Sequence, residues 1–493
     1  LRVQRLTFPG LNALPGFVIQ RSDDAAANSV RVQVAGVSTI LRKGDRFNLD
    51  IYSGGRTRPS ELTAWVKDSA TNAVQQTLHL PLPAAPGLVK SRLAVPCMDE
   101  GIYYVSFGEA GKPIDPRWVR EVQFVVIDTM AHPRTGGEMK KTLLRTIDCV
   151  TQPPDFSGGG DTTIQHAGFG NYRESGSLGF LEDKPKYSFF SYRLDVPEAQ
   201  RPYLVEVDYP DDDLRTFGIA LMEREMMGYP PVGGVDSGGT MPVTNQMQTQ
   251  SFIHYPRGKD LVVSFVNAHH GRRAAASRIR LYRIDGPLPA RTAPTVGGRS
   301  FGYWIEEGDR WTTFYGAPDK SLTGYLLSMD RWAQTARYMG VDTLMPTVLI
   351  YQALLFQSTY FGGYFRAAGG PRDPMPIDAL RMLLLVCEKY NLKLLPEFFP
   401  CSSEYKHTMV DNLPYAAQPD PKPNLTVNAD GQIGEQPFRA LYNPIFPGNQ
   451  NWYVGMLGEV ADTYGDSPAL KGVSLRCMGW CGEGWNWWSS LYW

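Results

Sequence analysis

Phe301-Gly302-Tyr303-Trp304-Ile305, the run from Leu322 to Met339, and Val341-Asp342-Thr343-Leu344-Met345-Pro346-Thr347-Val348-Leu349 together decide the fold of this 493-residue chain. The first and third pieces are short and largely apolar, as strands buried on both faces are. The middle piece carries Leu326, Met329, Trp332, Ala333 and Ala336 at helical spacing, the apolar stripe of an amphipathic helix. Strand, helix and strand in this order make a βα unit, and the alternation continues. Ile377 to Tyr390 reads as helix, Leu392 to Phe399 as strand, Asn451 to Tyr464 as helix and Gly472 to Met478 as strand.

Four such cycles fill 298–493 and predict the N-terminal half of an α/β TIM-type barrel, since a closed eightfold barrel takes about 250 residues. Half a barrel leaves a long parallel edge and half a core open to water, so a continuation beyond Trp493 is expected.

Upstream the period is two. From Val30 to about Asp128, short alternating runs such as Val30-Arg31-Val32-Gln33-Val34, Phe47-Asn48-Leu49-Asp50-Ile51 and Gly101-Ile102-Tyr103-Tyr104-Val105-Ser106-Phe107 are separated by Gly, Pro and Asp turns. That spacing predicts an all-β immunoglobulin- or fibronectin-like sandwich over 1–130. A second β-rich stretch, 140–288, has its clearest strands at Tyr187 to Tyr192, Tyr203 to Val207, Phe217 to Leu221, Leu261 to Phe265 and Ile279 to Ile284. Gly- and Pro-loaded segments, Tyr229 to Gly234 and Asp236 to Gly239, read as long loops of a β jelly roll. Tyr203-Leu204-Val205-Glu206-Val207-Asp208-Tyr209 is similar to the recurrent core strand of galactose-binding-like jelly rolls, which accompany bacterial glycoside hydrolases.

Composition narrows the function. Hydrophobic content of 43% and charged content of 20% describe a globular chain with no run of the ~20 apolar residues that a membrane span needs. With 49 basic and 50 acidic side chains, no basic field gathers nucleic acid or anionic lipid. The six cysteines make no C-x-x-C knuckle, the histidines lack metal-ligand spacing, and no cofactor or catalytic metal is expected. Asp211-Asp212-Asp213 could join loop carbonyls in a structural calcium site, or is a solvated charge run.

Barrel chemistry lies at the C-terminal ends of strands, and here those ends carry carboxylates and aromatics. They are Trp304-Ile305-Glu306-Glu307, Pro396-Glu397-Phe398-Phe399 and Gly479-Trp480-Cys481-Gly482-Glu483-Gly484-Trp485. Glycosidic cleavage needs one protonated and one ionised carboxyl, and aromatic faces hold sugar rings. Tyr442-Asn443-Pro444-Ile445-Phe446-Pro447-Gly448-Asn449-Gln450, the helix after it and Leu470-Lys471-Gly472-Val473-Ser474-Leu475-Arg476 resemble glycoside hydrolases with a clan-A-like barrel.

In that clan the acid/base glutamate follows the fourth strand, and the resemblance implies Glu483 for that role, with Gly482 in place of the usual Asn. The clan's nucleophile follows the seventh strand, beyond this sequence. The other reading of Glu483 is a loop glutamate near buried tryptophans. Glu397 is a catalytic or substrate-binding candidate, or a carboxylate paired with Arg476 or another barrel cation. Glu306, Trp304, Trp480, Trp485 and Arg476 are expected to bind substrate. The reading is a glycoside hydrolase acting on a polysaccharide or oligosaccharide; its alternative is a non-catalytic carbohydrate-binding or cell-surface structural protein with a degenerate barrel. The company of sandwich, jelly roll and barrel implies a secreted, periplasmic or cell-surface location.

Overall fold

The structure, a computed structural model, describes residues 29–475 apart from 36–37, 110–111, 115–118, 120, 132–136, 184, 224–230, 293–298, 306–313, 318–320, 351–352, 357, 359–377, 399–408, 411–412, 415–434, 437–438 and 441–446. Glu306, Arg476, Trp480, Glu483 and Trp485 therefore lie outside the described residues. The chain is mostly β. Among the described residues, three long helices are confined to its last third.

Three apolar clusters organise it. The first lies between two sheets, one of strands Ser29–Val34, Phe47–Gly54 and Val89–Val95, the other led by Ile40–Arg42, Val122–Ile127, Gly101–Glu109, Ser60–Asp68 and Val74–Leu82. Alternation does the sorting: Leu49 and Ile51 from one sheet and Leu62, Ala64, Val66 and Val105 from the other are fully buried between them. Ile40–Arg42, at the edge of its sheet, runs parallel to Val122–Ile127, whereas the pairings of Phe47–Gly54 with Val89–Val95 and of Ser60–Asp68 with Gly101–Glu109 are antiparallel.

The second cluster fills a larger sandwich. Its four-stranded sheet is ordered Lys141–Asp148, Arg278–Ile284, Tyr203–Asp211, Gln246–His254; its five-stranded sheet is ordered Phe156–Gly158, Phe189–Arg193, Leu261–Asn267, Arg215–Glu223, Pro231–Ser237. All these pairings are antiparallel. Pro231–Ser237 overlaps segments that the sequence reading assigned to loops. Pro is tolerated there because the strand is an edge. Gly233 is accommodated for another reason: a Cβ at that position would sit 2.1 Å from the Phe252 ring of the opposite sheet.

The third cluster belongs to a parallel sheet. Strands β1 (Gly302–Ile305), β2 (Thr343–Ile350), β3 (Glu397–Phe398) and β4 (Ser474–Leu475) lie side by side in chain order, all parallel. Helices α1 (Leu322–Met339), α2 (Ala379–Lys389) and α3 (Pro447–Tyr464) connect them. The expected strand Leu392 to Phe399 is broken. Lys393–Leu394 and β3 pair separately with β2, and Pro396 between them has no N–H to continue the ladder. α1 begins where Ser321 accepts a bond from the Gly324 N–H and ends at Gly340, which takes the left-handed conformation at φ 73°. Its stripe of Tyr325, Met329, Trp332, Ala333 and Ala336 is wholly buried, with the Trp332 ring set edge-on to Tyr303 of β1 at 6.0 Å. Among the described residues, four strands and three helices form an open parallel layer.

Both sandwiches dock on the outer side of these helices. Ile40, Val125 and Ile127 of the first sandwich and Tyr255 of the second share the α1–α2 cluster. Arg42 Nε and Nη2 donate to the two oxygens of Glu388 at 2.9 and 2.7 Å, and Arg381 Nε donates to the Ile40 carbonyl at 2.9 Å. Arg331 of α1 lies 4.8 Å from the Tyr255 ring centroid and donates to the carbonyls of Tyr315, Gly316 and Gln200. Gly316 (φ 62°) packs so closely on Tyr255 that a Cβ there would lie 2.1 Å from its carbonyl oxygen.

Candidate functional site at the strand ends

The face of the parallel sheet turned away from the helices is set by the pleat. Tyr303, Leu344 and Val348 pack towards α1 and α2, so Gly302, Trp304, Met345 and Thr347 lie on the opposite face. Register then places Thr347 of β2 beside Glu397 of β3, and Glu397 beside Ser474 of β4. Three residues from three successive strands meet. Trp304 Nε1 donates to Glu397 Oε2 at 2.9 Å, and Thr347 Oγ1 donates to the same oxygen at 2.6 Å.

The two sides of this cluster differ in exposure. Thr347 is 1% and Glu397 8% exposed, whereas Trp304 is 42% exposed. A buried carboxylate is tolerated only with hydrogen-bond donors, and two converge on one oxygen here. Chemically, the arrangement offers an oriented carboxylate beside a half-exposed indole, one hydroxyl-accepting group and one aromatic face. The cation expected for Glu397 was Arg476, which lies outside the described residues; within them, Glu397 accepts from an indole N–H and a threonine hydroxyl. Thr347, which the sequence reading did not single out, falls at the end of a recognised strand.

Next to this layer stands Asp378, the N-cap of α2. Its Oδ1 accepts from the Arg381 N–H at 2.9 Å and from the Tyr464 hydroxyl of α3 at 2.9 Å. Burial pushes its carboxyl up to about 6.

The Asp211-Asp212-Asp213 run is engaged by the chain's own donors. Asp211 Oδ2 accepts from Thr244 N and Oγ1, Asp212 accepts from Arg215 Nε and the Tyr172 hydroxyl, and Asp213 accepts from Leu214 N. Arg215 also holds Glu174, so Asp212 belongs to a buried ion-pair network at 2.8–2.9 Å and not to an open carboxylate cage. No grouping of three or more His, Cys, Asp or Glu suited to a metal occurs among the described residues. Cys149 and Cys387 are buried free thiols.

No family model matches the chain, and no curated protein matches it. Solved structures do show similarity. The C-terminal CBM6 of a marine laminarinase from Zobellia galactanivorans is 16% identical, covering 28% of this chain and 100% of its own, with a TM-score of 0.20. The carbohydrate-binding module CBM6cm-2 of Cellvibrio mixtus lichenase 5A, in complex with cellotriose, is 14% identical over 29% of this chain and 98% of its own, at a TM-score of 0.20. A β-glucosidase from Listeria innocua is 8% identical over 20% of this chain and 16% of its own, at a TM-score of 0.16. At scores this low the likenesses stand as likenesses alone.

Proposed function

We propose that this chain is a carbohydrate-active protein whose β/α layer is part of a TIM-type barrel and acts on a polysaccharide or oligosaccharide by carboxylate general acid/base chemistry. The observation that carries the reading is Glu397, held by Trp304 and Thr347 at the C-terminal end of a parallel strand. Such strand ends are where (β/α) barrels place their chemistry. In this reading Glu483 is the acid/base, and Glu397 is a catalytic or substrate-binding carboxylate. Glu306, Trp304, Trp480, Trp485 and Arg476 hold the sugar, and the protein works outside the cytoplasm as a secreted, periplasmic or cell-surface component.

A second reading is favoured by the same cluster: a carboxylate already accepting two bonds from its own chain suits a scaffold that binds glycan without cleaving it. Hydrolysis and binding of a polysaccharide panel by wild type, Glu397→Gln and Glu483→Gln separate the two. Cleavage lost in both variants with binding retained supports the hydrolase, since paired carboxyls are required. Binding without cleavage in the wild type supports the non-catalytic protein. Neither binding nor cleavage of any glycan removes both.

A further inference from the structure

Tyr255 leaves the second sandwich directly after the strand Gln246–His254 and enters the apolar cluster of α1. The residues around it are pinned from the sandwich side. His254 Nε2 lies 3.1 Å from Glu223 Oε1, and Glu223 Oε2 accepts from the Arg257 and Gly258 N–H groups at 2.7 and 2.8 Å. Gln200, in the left-handed conformation at φ 63°, donates its N–H to the Pro256 carbonyl at 2.6 Å, and its own carbonyl accepts from Arg331 of α1. Arg331 is 9% exposed, and its guanidinium also holds the carbonyls of Tyr315 and Gly316 at 2.7 and 3.1 Å. One buried cation thus ties together the second sandwich, the end of the segment between β1 and α1, and α1 itself.

From Tyr255 a column of rings runs to β1. The Tyr255 and Tyr315 centroids are 6.1 Å apart, Tyr315 stacks on Trp332 at 6.5 Å, and Trp332 meets Tyr303 edge-on at 6.0 Å. Tyr255, Tyr315 and Trp332 are all buried. Tyr303 precedes Trp304 on β1, where alternation sends the two side chains to opposite faces. β1 is a four-residue strand at the edge of its sheet, and among the described residues only β2 pairs with it. One short ladder leaves the other side of β1 free, so the ring packed against Tyr303 sets where the strand lies. Interiors at native density transmit a displacement and do not absorb it. The 2.9 Å bond from Trp304 to Glu397 is the contact that such a displacement would spoil, because hydrogen bonds weaken steeply away from good geometry.

We propose that Tyr255 is a positioning residue for the strand-end cluster: through Tyr315, Trp332 and Tyr303 the second sandwich sets where Trp304 stands, and so how Glu397 is held. The second sandwich is then part of the frame of that site. The consequence for catalysis rests on the reading of Glu397 as an acting carboxylate; the placement of Trp304 does not.

The test is hydrogen exchange at the Trp304 indole N–H, followed by NMR on the full chain with isotope-labelled tryptophan and assigned with Trp304→Phe. Tyr255→Leu keeps apolar bulk and removes the ring. Gly316→Ala keeps every ring and drives a Cβ to 2.1 Å from the Tyr255 carbonyl oxygen, forcing the seam apart. Both are expected to speed exchange about tenfold. Tyr255→Phe, which keeps the ring, and Arg42→Ala, which loosens the first sandwich instead, are expected to stay within about twofold of wild type. The proposal is overturned if Tyr255→Leu or Gly316→Ala exchanges at the wild-type rate, or if Tyr255→Phe or Arg42→Ala speeds exchange as much as they do. Should one of the first two fail to fold, the other decides. On any glycan that the wild type cleaves, these two variants are expected to lower kcat about tenfold or more with KM little changed. A wild type that cleaves none removes the hydrolase reading and leaves the exchange result standing, so the two fail separately.

Discussion

Trp304 and Glu397, 93 residues apart in sequence, are joined by an indole N–H that reaches a carboxylate oxygen at 2.9 Å from one strand of the parallel sheet to another two places along. The bond crosses over β2, and Thr347 on that intervening strand completes it from below.

Two substitutions distinguish position from stability. Glu397→Gln keeps the accepting oxygen for both donors and removes the buried charge, so its urea midpoint is expected to equal or exceed that of wild type while hydrolysis is lost. Thr347→Val keeps the shape and removes a buried donor to a charged group, with an expected loss of about 2 kcal/mol. A glutamine variant that unfolds as easily as the valine variant would make Glu397 a structural residue.

The contact between the first sandwich and α2 rests on a buried acid. The Glu388 side chain is 8% exposed, and besides Arg42 it accepts from Ser467 Oγ at 2.7 Å. Removing one partner of a buried pair costs about 3–5 kcal/mol, and because the Arg42 side chain is 36% exposed the expected cost of Arg42→Ala is nearer about 2 kcal/mol. Calorimetry should show a lower transition for the sandwich and helix together. The double variant Arg42→Met, Glu388→Leu should recover most of the loss, and a single substitution without effect on melting would mean that the apolar seam alone holds the contact.

Asp378 makes stability depend on pH with a defined sign. Its folded carboxyl titrates at about 6 against an ordinary 3.8, so the folded state takes up the proton more readily than the unfolded chain. Its contribution is present in full below about pH 4 and is lost as pH rises through 6, a change of at most about 3 kcal/mol. Asp378→Asn retains the oxygen that caps α2 and accepts from Tyr464, and cannot ionise. Urea unfolding at pH 4 and pH 7 should show the variant equal to wild type at the lower pH and more stable at the higher. Curves that stay parallel would remove Asp378 as their cause.

What the sequence made legible follows from how much each element relies on local signals. α1 could be read to the residue, because an uninterrupted stripe of apolar side chains ends at a glycine that must turn left-handed. Tyr203–Asp211 and Leu261–Asn267 were visible by their apolar alternation. Gln246–His254 was not, since Gln, Thr and Ser at its exposed and half-buried positions conceal a strand whose identity comes from pairing with Tyr203–Asp211. Pro231–Ser237 was hidden likewise by glycines that serve close packing across the sandwich. At the strand ends Glu397 and Trp304 could be picked out by position, whereas their bond depends on the stagger between three strands, which no single segment encodes.

Ile40–Arg42 has a consequence for the order in which the chain is made. This short parallel strand is complete as soon as Val122–Ile127 has left the ribosome, yet the helix it clamps through Arg42 and the Ile40 carbonyl emerges some 260 residues later. At about 5–20 residues per second that interval is on the order of tens of seconds. The first sandwich can thus fold ahead of the last third and wait as a finished surface, presenting an arginine and an open carbonyl onto which the growing β/α layer assembles.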